Sequence, residues 1–308
     1  MSEIVPSYYS TFRCIADRCR HSCCIGWEID VDPDSLSLYR TLPGALGDEI
    51  RLSLVAEDDC THFRLKEHDR CPFLNEQGLC RMILAHGDGI LCQICRDHPR
   101  FYSEFSDHTE VGLGLCCEEA ARLILTQPRP MTLLTLEDDG AGACADEFEQ
   151  QLLSLRRQLF SLLEDESWTV DERLTNLLDL CGIALPDKTA AQWADIYRSL
   201  ERLDESWDDA LTTLTHYSPF DLPDRRWDLP FLQLTAYFLY RHLPSALEDG
   251  DAASRVGFAV LSVRILRMLF AAAEEQTMDT LIELVRMYSS EIEYSTENVD
   301  TLINVLWS

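Results

Sequence analysis

Eleven of the thirteen cysteines lie between Cys14 and Cys117, while Cys144 and Cys181 stand apart. Cytosolic thiols are kept reduced, so clustered cysteines in a chain without an export signal point to metal binding or catalysis more than to disulfides. Residues Met1 to Tyr9 contain Glu3 and Pro6 and lack the basic and apolar regions of a secretory leader. No stretch reaches the roughly 18 to 20 uninterrupted apolar residues that span a bilayer. The most apolar region, Val256 to Ala273, is broken by Arg264 and Arg267 and reads as a buried amphipathic helix. A cytoplasmic location and no membrane partner are therefore expected.

The formal charge of −28 comes from 54 acidic and 26 basic residues. Such a surface repels phosphates and anionic membranes, which argues against nucleic-acid binding and favours a cationic, lysine-bearing protein partner. Acidity that only confers solubility is the plainer reading.

Along the chain the pattern changes once. To about Thr126 it is irregular, with short apolar runs, scattered Gly and Pro, and cysteines every few residues. A break at Gln127-Pro-Arg-Pro130 and a polar, glycine-containing linker at Glu137 to Cys144 follow. Beyond them apolar residues recur at three- and four-residue steps. The spacing predicts helices over Asp146–Glu164, Glu172–Ile183, Thr189–Leu203, Pro230–Leu247, Ala252–Ala273 and Thr277–Tyr288, with a last one near Asn298–Trp307. The expected fold is thus mainly α. An irregular cysteine-rich metal-binding region (1–136) is expected to pack on an α-helical domain (145–308).

The cysteines fall into four groups. The first is Cys14, Cys19, Cys23 and Cys24. A helical turn over Arg18–Gly26 would put Cys19 and Cys23 on one face. The second is Cys71 and Cys80, which a turn at Asn75–Gly78 would bring back together. Cys92-x2-Cys95 leads into Arg96-Asp-His-Pro-Arg100, and Cys116-Cys117 is the fourth group. Thiolates are soft ligands that suit an iron–sulfur cluster or tetrahedral zinc. The Cys71-Pro72 step favours the cluster, because Cys-Pro is a recurring ligand context. Only Cys92 and Cys95 have the paired spacing of a zinc ribbon. Cys19-x3-Cys23 begins the radical S-adenosylmethionine pattern, but Gly26 stands where its third cysteine would be. His98 is a candidate fourth ligand or acid–base group. Arg96 and Arg100 would offset thiolate charge, and Trp27 would shield the metal.

Several motifs carry a resemblance: Phe12-x-Cys14, Cys19, Cys23-Cys24-x2-Trp27, Cys71-Pro-Phe-Leu74, Leu79-Cys80, Cys95-x3-Pro99-Arg100 and Cys117-x-Glu119-Ala-Ala-Arg122. In this order they resemble the flagellin lysine-N-methylase family, which is related to small zinc- or iron-chelating CxxCC proteins. Tyr237-Phe-x-x-Tyr240-Arg241-His242 and Tyr288-Ser-x-Glu291-Ile-Glu293-x-Ser295-x-x-Asn298 extend it into the helical half. The resemblance implies methyl transfer from S-adenosylmethionine to surface lysine amines of flagellin, with a [4Fe–4S] cluster involved. Cys14, Cys19, Cys23, Cys24, Cys71, Cys80, Cys95 and Cys117 are then the expected metal ligands. The chain departs from the family in having Cys117-Glu118-Glu119 for Cys-Pro-Glu. Cys92 and Cys116 occupy places where the family tends to have serine, and rank below the other eight.

Methylating lysine requires a neutral amine, hence burial or a base. Glu291, Glu293 and Tyr237 are the expected catalytic residues. The two carboxylates would diverge on a helix and share a face in an extended segment; a solvated acidic helix end is the plain alternative. Arg241, one turn from Tyr237, and Arg100 are the cofactor-binding candidates, Arg being suited to bidentate carboxylate contact. An internal salt bridge at Arg241 is equally consistent with the spacing. No Gly-x-Gly-x-Gly loop follows a strand, so S-adenosylmethionine would be held in another way, for example on an iron without a cysteine. The competing reading is a non-enzymatic iron- or zinc-binding module or partner scaffold. A dithiol redox protein lacks the βαβ pattern around Cys92 and Cys95.

Overall fold

The computed structural model describes residues 2–57, 60–137, 146–218 and 223–307. Six strands are present among them: β1 (Ser2–Pro6), β2 (Leu54–Glu57), β3 (Cys60–Phe63), β4 (Arg100–Glu104), β5 (His108–Leu113) and β6 (Leu133–Glu137). The chain forms two compact units, one of Met1–Phe12 with Phe101–Ser308 and one of Arg13–Arg100. The boundary expected at 137–144 falls almost wholly outside the described residues.

Within Arg13–Arg100, helices Pro33–Thr41 and Gly44–Ser53 accompany the antiparallel β2–β3 pair and two short helices, Arg81–His86 and Gln93–Asp97. Pro33 at the first helical position has no N–H to lose, and Asp32 caps the turn by accepting the Ser35 N–H. The second Asp32 oxygen accepts the Gln93 N–H at 2.7 Å, tying the two segments together. Burial opposes ionisation, but these N–H groups bring the carboxyl down to about 2. Ile29, Val31, Tyr39, Ile50, Phe63 and Phe73 fill the core, and Cys71 and Cys92 are part of it.

In the other unit the sheet order is β4-β5-β1-β6, with β1 parallel to β5 and antiparallel to β6. Its helices run from Glu118–Leu125 through Glu147–Glu164, Val170–Cys181, Ala190–Arg198, Ser206–Thr215, Asp228–His242 and Ala252–Ala272 to Met278–Tyr288 and Thr296–Val305. Capping boxes at Thr169/Glu172 and Thr189/Gln192 set two of the starts. The chain is mainly helical, as its periodicity predicts.

Three expectations are corrected. The amino-terminal segment is not irregular, because it supplies the mixed sheet and several helices. Ala252–Ala272 is not amphipathic: it is buried on nearly all faces, and Arg267 is accommodated by Asp171 at 2.5 Å and by the ring of Phe231. Helix Ser206–Thr215, which buries Trp207, lies in a stretch assigned no element from the sequence.

Gly112 on β5 is required by packing. A Cβ there would stand 2.1 Å from Cζ of Phe101, whose ring is wedged near Tyr237 (6.2 Å) and Tyr240 (6.0 Å). Gly112→Ala is therefore expected to destabilise by about 1–3 kcal/mol, the usual cost of overpacking. A thermal melt checks this, and an unchanged midpoint would show that the ring is free to yield.

Candidate metal centre and a buried carboxylate site

Three chain segments of Arg13–Arg100 bring thiols to one apolar core, Cys71 and Cys92 within it and Cys24, Cys80 and Cys95 packed against it. The Cys71 N–H bonds the Cys24 carbonyl at 2.8 Å, pinning the first segment to the second. Asn75 Oδ1 accepts the N–H groups of Gln77 and Leu79, and Gly78 takes a positive φ of 75°. The expected turn is present, and Leu74 bridges Cys80 across it. Cys71 and Cys80 thereby feel one another and both feel Cys24 and Cys92. The Cys92 and Cys95 side chains are hydrogen-bonded, and Cys95 also senses Cys24 and Cys71.

Their environments separate them chemically. A hydrogen bond from Cys23, with a second from Ser22 and the charge of Arg70, outweighs burial and brings Cys24 down to about 7. Burial pushes Cys71 up to about 12 and raises Cys80. The hydrogen bond from Cys95 lowers Cys92, and the same contact together with burial raises Cys95. One thiol of that pair is thus poised to ionise at the expense of the other.

The remaining expected ligands are placed differently. Cys14 and Cys23 are exposed, and the Cys19 sulfur donates to the His21 carbonyl at 3.1 Å. Arg18–Gly26 does not form the expected helical turn. A 3₁₀ turn ends at Arg18 and Cys19 is extended, so Cys19 and Cys23 share no helix face. Cys117 belongs to the other unit, where it precedes helix Glu118–Leu125. Cys60, exposed on β3, donates to Asp30 at 3.1 Å. Cys144 lies outside the described residues. Among the described residues, no three His, Cys, Asp or Glu side chains are disposed to hold a single metal ion.

The supporting groups also differ from expectation. Arg70 is the cation that acts on Cys24, whereas Arg96 donates to the Leu91 carbonyl at 2.8 Å and Arg100 to the Arg96 carbonyl at 3.3 Å. Trp27 donates to the Cys23 carbonyl at 2.6 Å and its ring sits 6.2 Å from that of His98. Burial and the Arg100 charge lower His98 to about 4, which leaves the imidazole neutral near pH 7.

The second constellation lies in the helical unit. Tyr237 and Arg241, one turn apart on Asp228–His242, meet Glu293 on the π-helical turn Ser289–Glu293. The Tyr237 hydroxyl donates to Glu293, with 3.2 Å to each oxygen, and accepts N–H groups from Arg241 (2.9 Å) and Leu115 (3.2 Å). Arg241 Nε lies 3.3 Å from Glu293 Oε1, and His242 Nε2 lies 2.7 Å from the same oxygen. The Arg241 guanidinium is flanked by the rings of Phe101 and Tyr294, 5.0 and 4.8 Å from their centroids. Burial opposes the Glu293 charge, yet Arg241 and the His242 hydrogen bond hold its carboxyl below the usual range. His242, lowered by burial, serves as a neutral donor. The internal salt bridge at Arg241 is the arrangement found.

Glu291 and Glu293 diverge. Glu291 accepts the N–H groups of Leu203 and Asp204, both at 2.8 Å, and is 2% exposed. Neither carboxylate belongs to a solvated helix end. His242, which the sequence reading quoted only within a motif, and Cys92, which it ranked below the other thiols, are the members it did not place among the site residues. The sequence also gave no sign of the pair Glu110–Arg156, in which both oxygens of a buried carboxylate meet one guanidinium (2.6 and 2.5 Å).

With this geometry in view, the comparisons with known proteins bear on about two fifths of the chain. It is 29% identical over 142 residues to a lysine-N-methylase of Salmonella typhimurium and 27% identical over 149 residues to one of Salmonella choleraesuis. In each case the match covers 43% of this chain and 35% of the relative, so it spans about a third of the length of these proteins. A third match, 28% over 149 residues, is to the flagellar biosynthetic protein FliU of Salmonella muenchen and covers 84% of that protein. No family model and no solved structure matches the chain.

Proposed function

We propose that this chain is a protein lysine N-methyltransferase that uses S-adenosylmethionine and acts on surface lysines of a protein such as flagellin. The observation that carries this reading is the similarity, over 142 residues, to a protein named lysine-N-methylase. The charge of −28 supports it, since an acidic surface draws a lysine-bearing partner. No helix among the described residues is long and apolar enough to cross a membrane.

In the transfer, the lysine nitrogen forms a bond to the methyl carbon as the carbon–sulfur bond of the sulfonium breaks, and the ammonium proton must already have left. S-adenosylmethionine supplies the electrophilic methyl group. The ammonium proton leaves to solvent before the amine meets the sulfonium, since Glu293 has no exposed side-chain surface and is ion-paired with Arg241, and the Tyr237 oxygen already accepts from Arg241 and Leu115. We assign Glu293 and Tyr237 to positioning the π-helical turn. Glu291, already occupied by two backbone N–H groups, is a positioning residue that ties Leu203 and Asp204 to the π-helical turn.

The resemblance implies a [4Fe–4S] cluster, with zinc as the alternative; Cys71 and Cys92 lie in one apolar core of Arg13–Arg100, and Cys24, Cys80 and Cys95 pack against it. Anaerobically purified protein incubated with methyl-labelled S-adenosylmethionine and flagellin should yield label on lysine side chains. Protein with its metal intact that labels neither flagellin nor another lysine-rich protein would instead be a non-enzymatic metal-binding module.

A further inference from the structure

We propose that His108 is a pH-sensitive clasp: carrying a proton on each ring nitrogen at neutral pH, it holds the β4–β5 turn against helix Glu147–Glu164, and losing one of them in alkaline solution loosens that turn. The imidazole is buried between two carboxylates, with Nδ1 2.5 Å from Asp107 Oδ1 and Nε2 3.4 Å from Glu110 Oε1. Ionised carboxylates only accept hydrogen bonds, so both ring nitrogens must donate, which only the imidazolium can do. The Phe105 ring lies flat on the imidazole, 4.5 Å between centroids and 7° from parallel, a further attraction for the charged form. Burial opposes that charge, but the hydrogen bonds and charges of Glu110 and Asp107 outweigh it and raise His108 above its ordinary value.

The charges around the ring come from several neighbouring elements. Helix Glu147–Glu164 supplies Arg156, which holds both oxygens of Glu110, and Glu149, which accepts the N–H and the hydroxyl of Ser106. Helix Asp228–His242 brings the Tyr240 ring beneath the Arg156 guanidinium. Strand β1 sets Ser2 and Ile4 beside His108 and Glu110, with Glu3 beside Thr109, and Glu104 on β4 is exposed. Glu110 and Glu149 are buried, so two interior carboxylates share two cations, Arg156 and His108. Loss of the His108 proton leaves them one, and turns the lone pair of a ring nitrogen toward a carboxylate oxygen. The contacts this loosens are the Ser106–Glu149 bonds and the 2.9 Å bond from the Phe105 N–H to the His108 carbonyl. The folded value lies above the unfolded value of about 6.5, so the clasp is complete below that pH and is lost as the pH rises through the folded value.

The test is an NMR titration of the histidine rings in the full chain, from about pH 6 to about pH 9, on wild type and Asp107→Asn. Asp107 is half exposed, so removing its charge leaves the fold intact. One of the eight histidine signals should titrate with a midpoint above about 6.5 in wild type, and that midpoint should fall in Asp107→Asn, which identifies it as His108. Hydrogen exchange at the Phe105 and Ser106 amides, corrected for its intrinsic pH dependence, should quicken by about fivefold or more across the wild-type midpoint. Amides of helix Ala252–Ala272 should not change, and in Asp107→Asn the quickening should move to lower pH. The proposal is overturned if no histidine midpoint falls in Asp107→Asn, or if the one that falls lies at or below about 6.5 in wild type. Unchanged exchange at Phe105 and Ser106 across the midpoint overturns it equally, since the ring would then titrate without holding the turn.

Discussion

Truncating Glu293 to alanine will destabilise the helical unit by about 3–5 kcal/mol, the typical result of leaving one partner of a buried ion pair without its counter-charge. Glu293 has no exposed side-chain surface, and Arg241, with 11% of its side chain exposed, would keep its charge between two aromatic rings. Tyr237 would lose its acceptor at the same time, although it is fully buried. Chemical denaturation of Glu293→Ala against wild type measures the loss. A difference below about 1 kcal/mol would mean that the network is not a stabilising element. The pH dependence follows from the depressed carboxyl. Its unfolded value is about 4.3, so its contribution is fully present above that pH and disappears as the pH falls through the lower folded value. Glu293→Gln should keep part of the hydrogen bonding and flatten the stability profile across that acid window.

Phe73→Ala is expected to cost about 3–5 kcal/mol in the Arg13–Arg100 unit, combining lost burial with the cavity left behind. Phe73 is fully buried and packs edge-on against Phe63 with centroids 5.0 Å apart, and Phe63 in turn meets Tyr39 at 5.9 Å. The same residues wall in Cys71 and Cys92. The variant should therefore show faster reaction of these two thiols with a maleimide, followed by peptide mapping. If both thiols react at the wild-type rate, the core does not depend on this ring.

The helical half was legible because a buried helix face repeats every three or four residues, and Asp146 and Thr189 mark starts by ordinary capping chemistry, whereas the start capped by Thr169 lies ahead of the expected Glu172. Strands β1, β5 and β6 were not. Each is five or six residues long and their partners are far apart in sequence, as in Ser2 beside His108. The same limit hid the carboxylates. Glu291 and Glu293 look like a charged helix end until Leu203, Asp204, Tyr237, Arg241 and His242 arrive from other elements. The Cys71–Cys80 turn was readable from Asn75 and Gly78 because its chemistry is local. For Cys92 the spacing to Cys95 was visible in the sequence, while its depth in the core was not.

The parallel pairing of β1 with β5 brackets the whole Arg13–Arg100 unit between two neighbouring strands. A ribosome delivers residues 2–6 first and residues 108–113 only after the entire intervening segment has emerged. Until then β1 has neither its β5 nor its β6 partner, and closing that long loop carries an entropic cost that slows sheet assembly. The thiol-bearing segment, complete once Arg100 has been made, is thus in a position to fold during translation, before the sheet that flanks it in sequence can close.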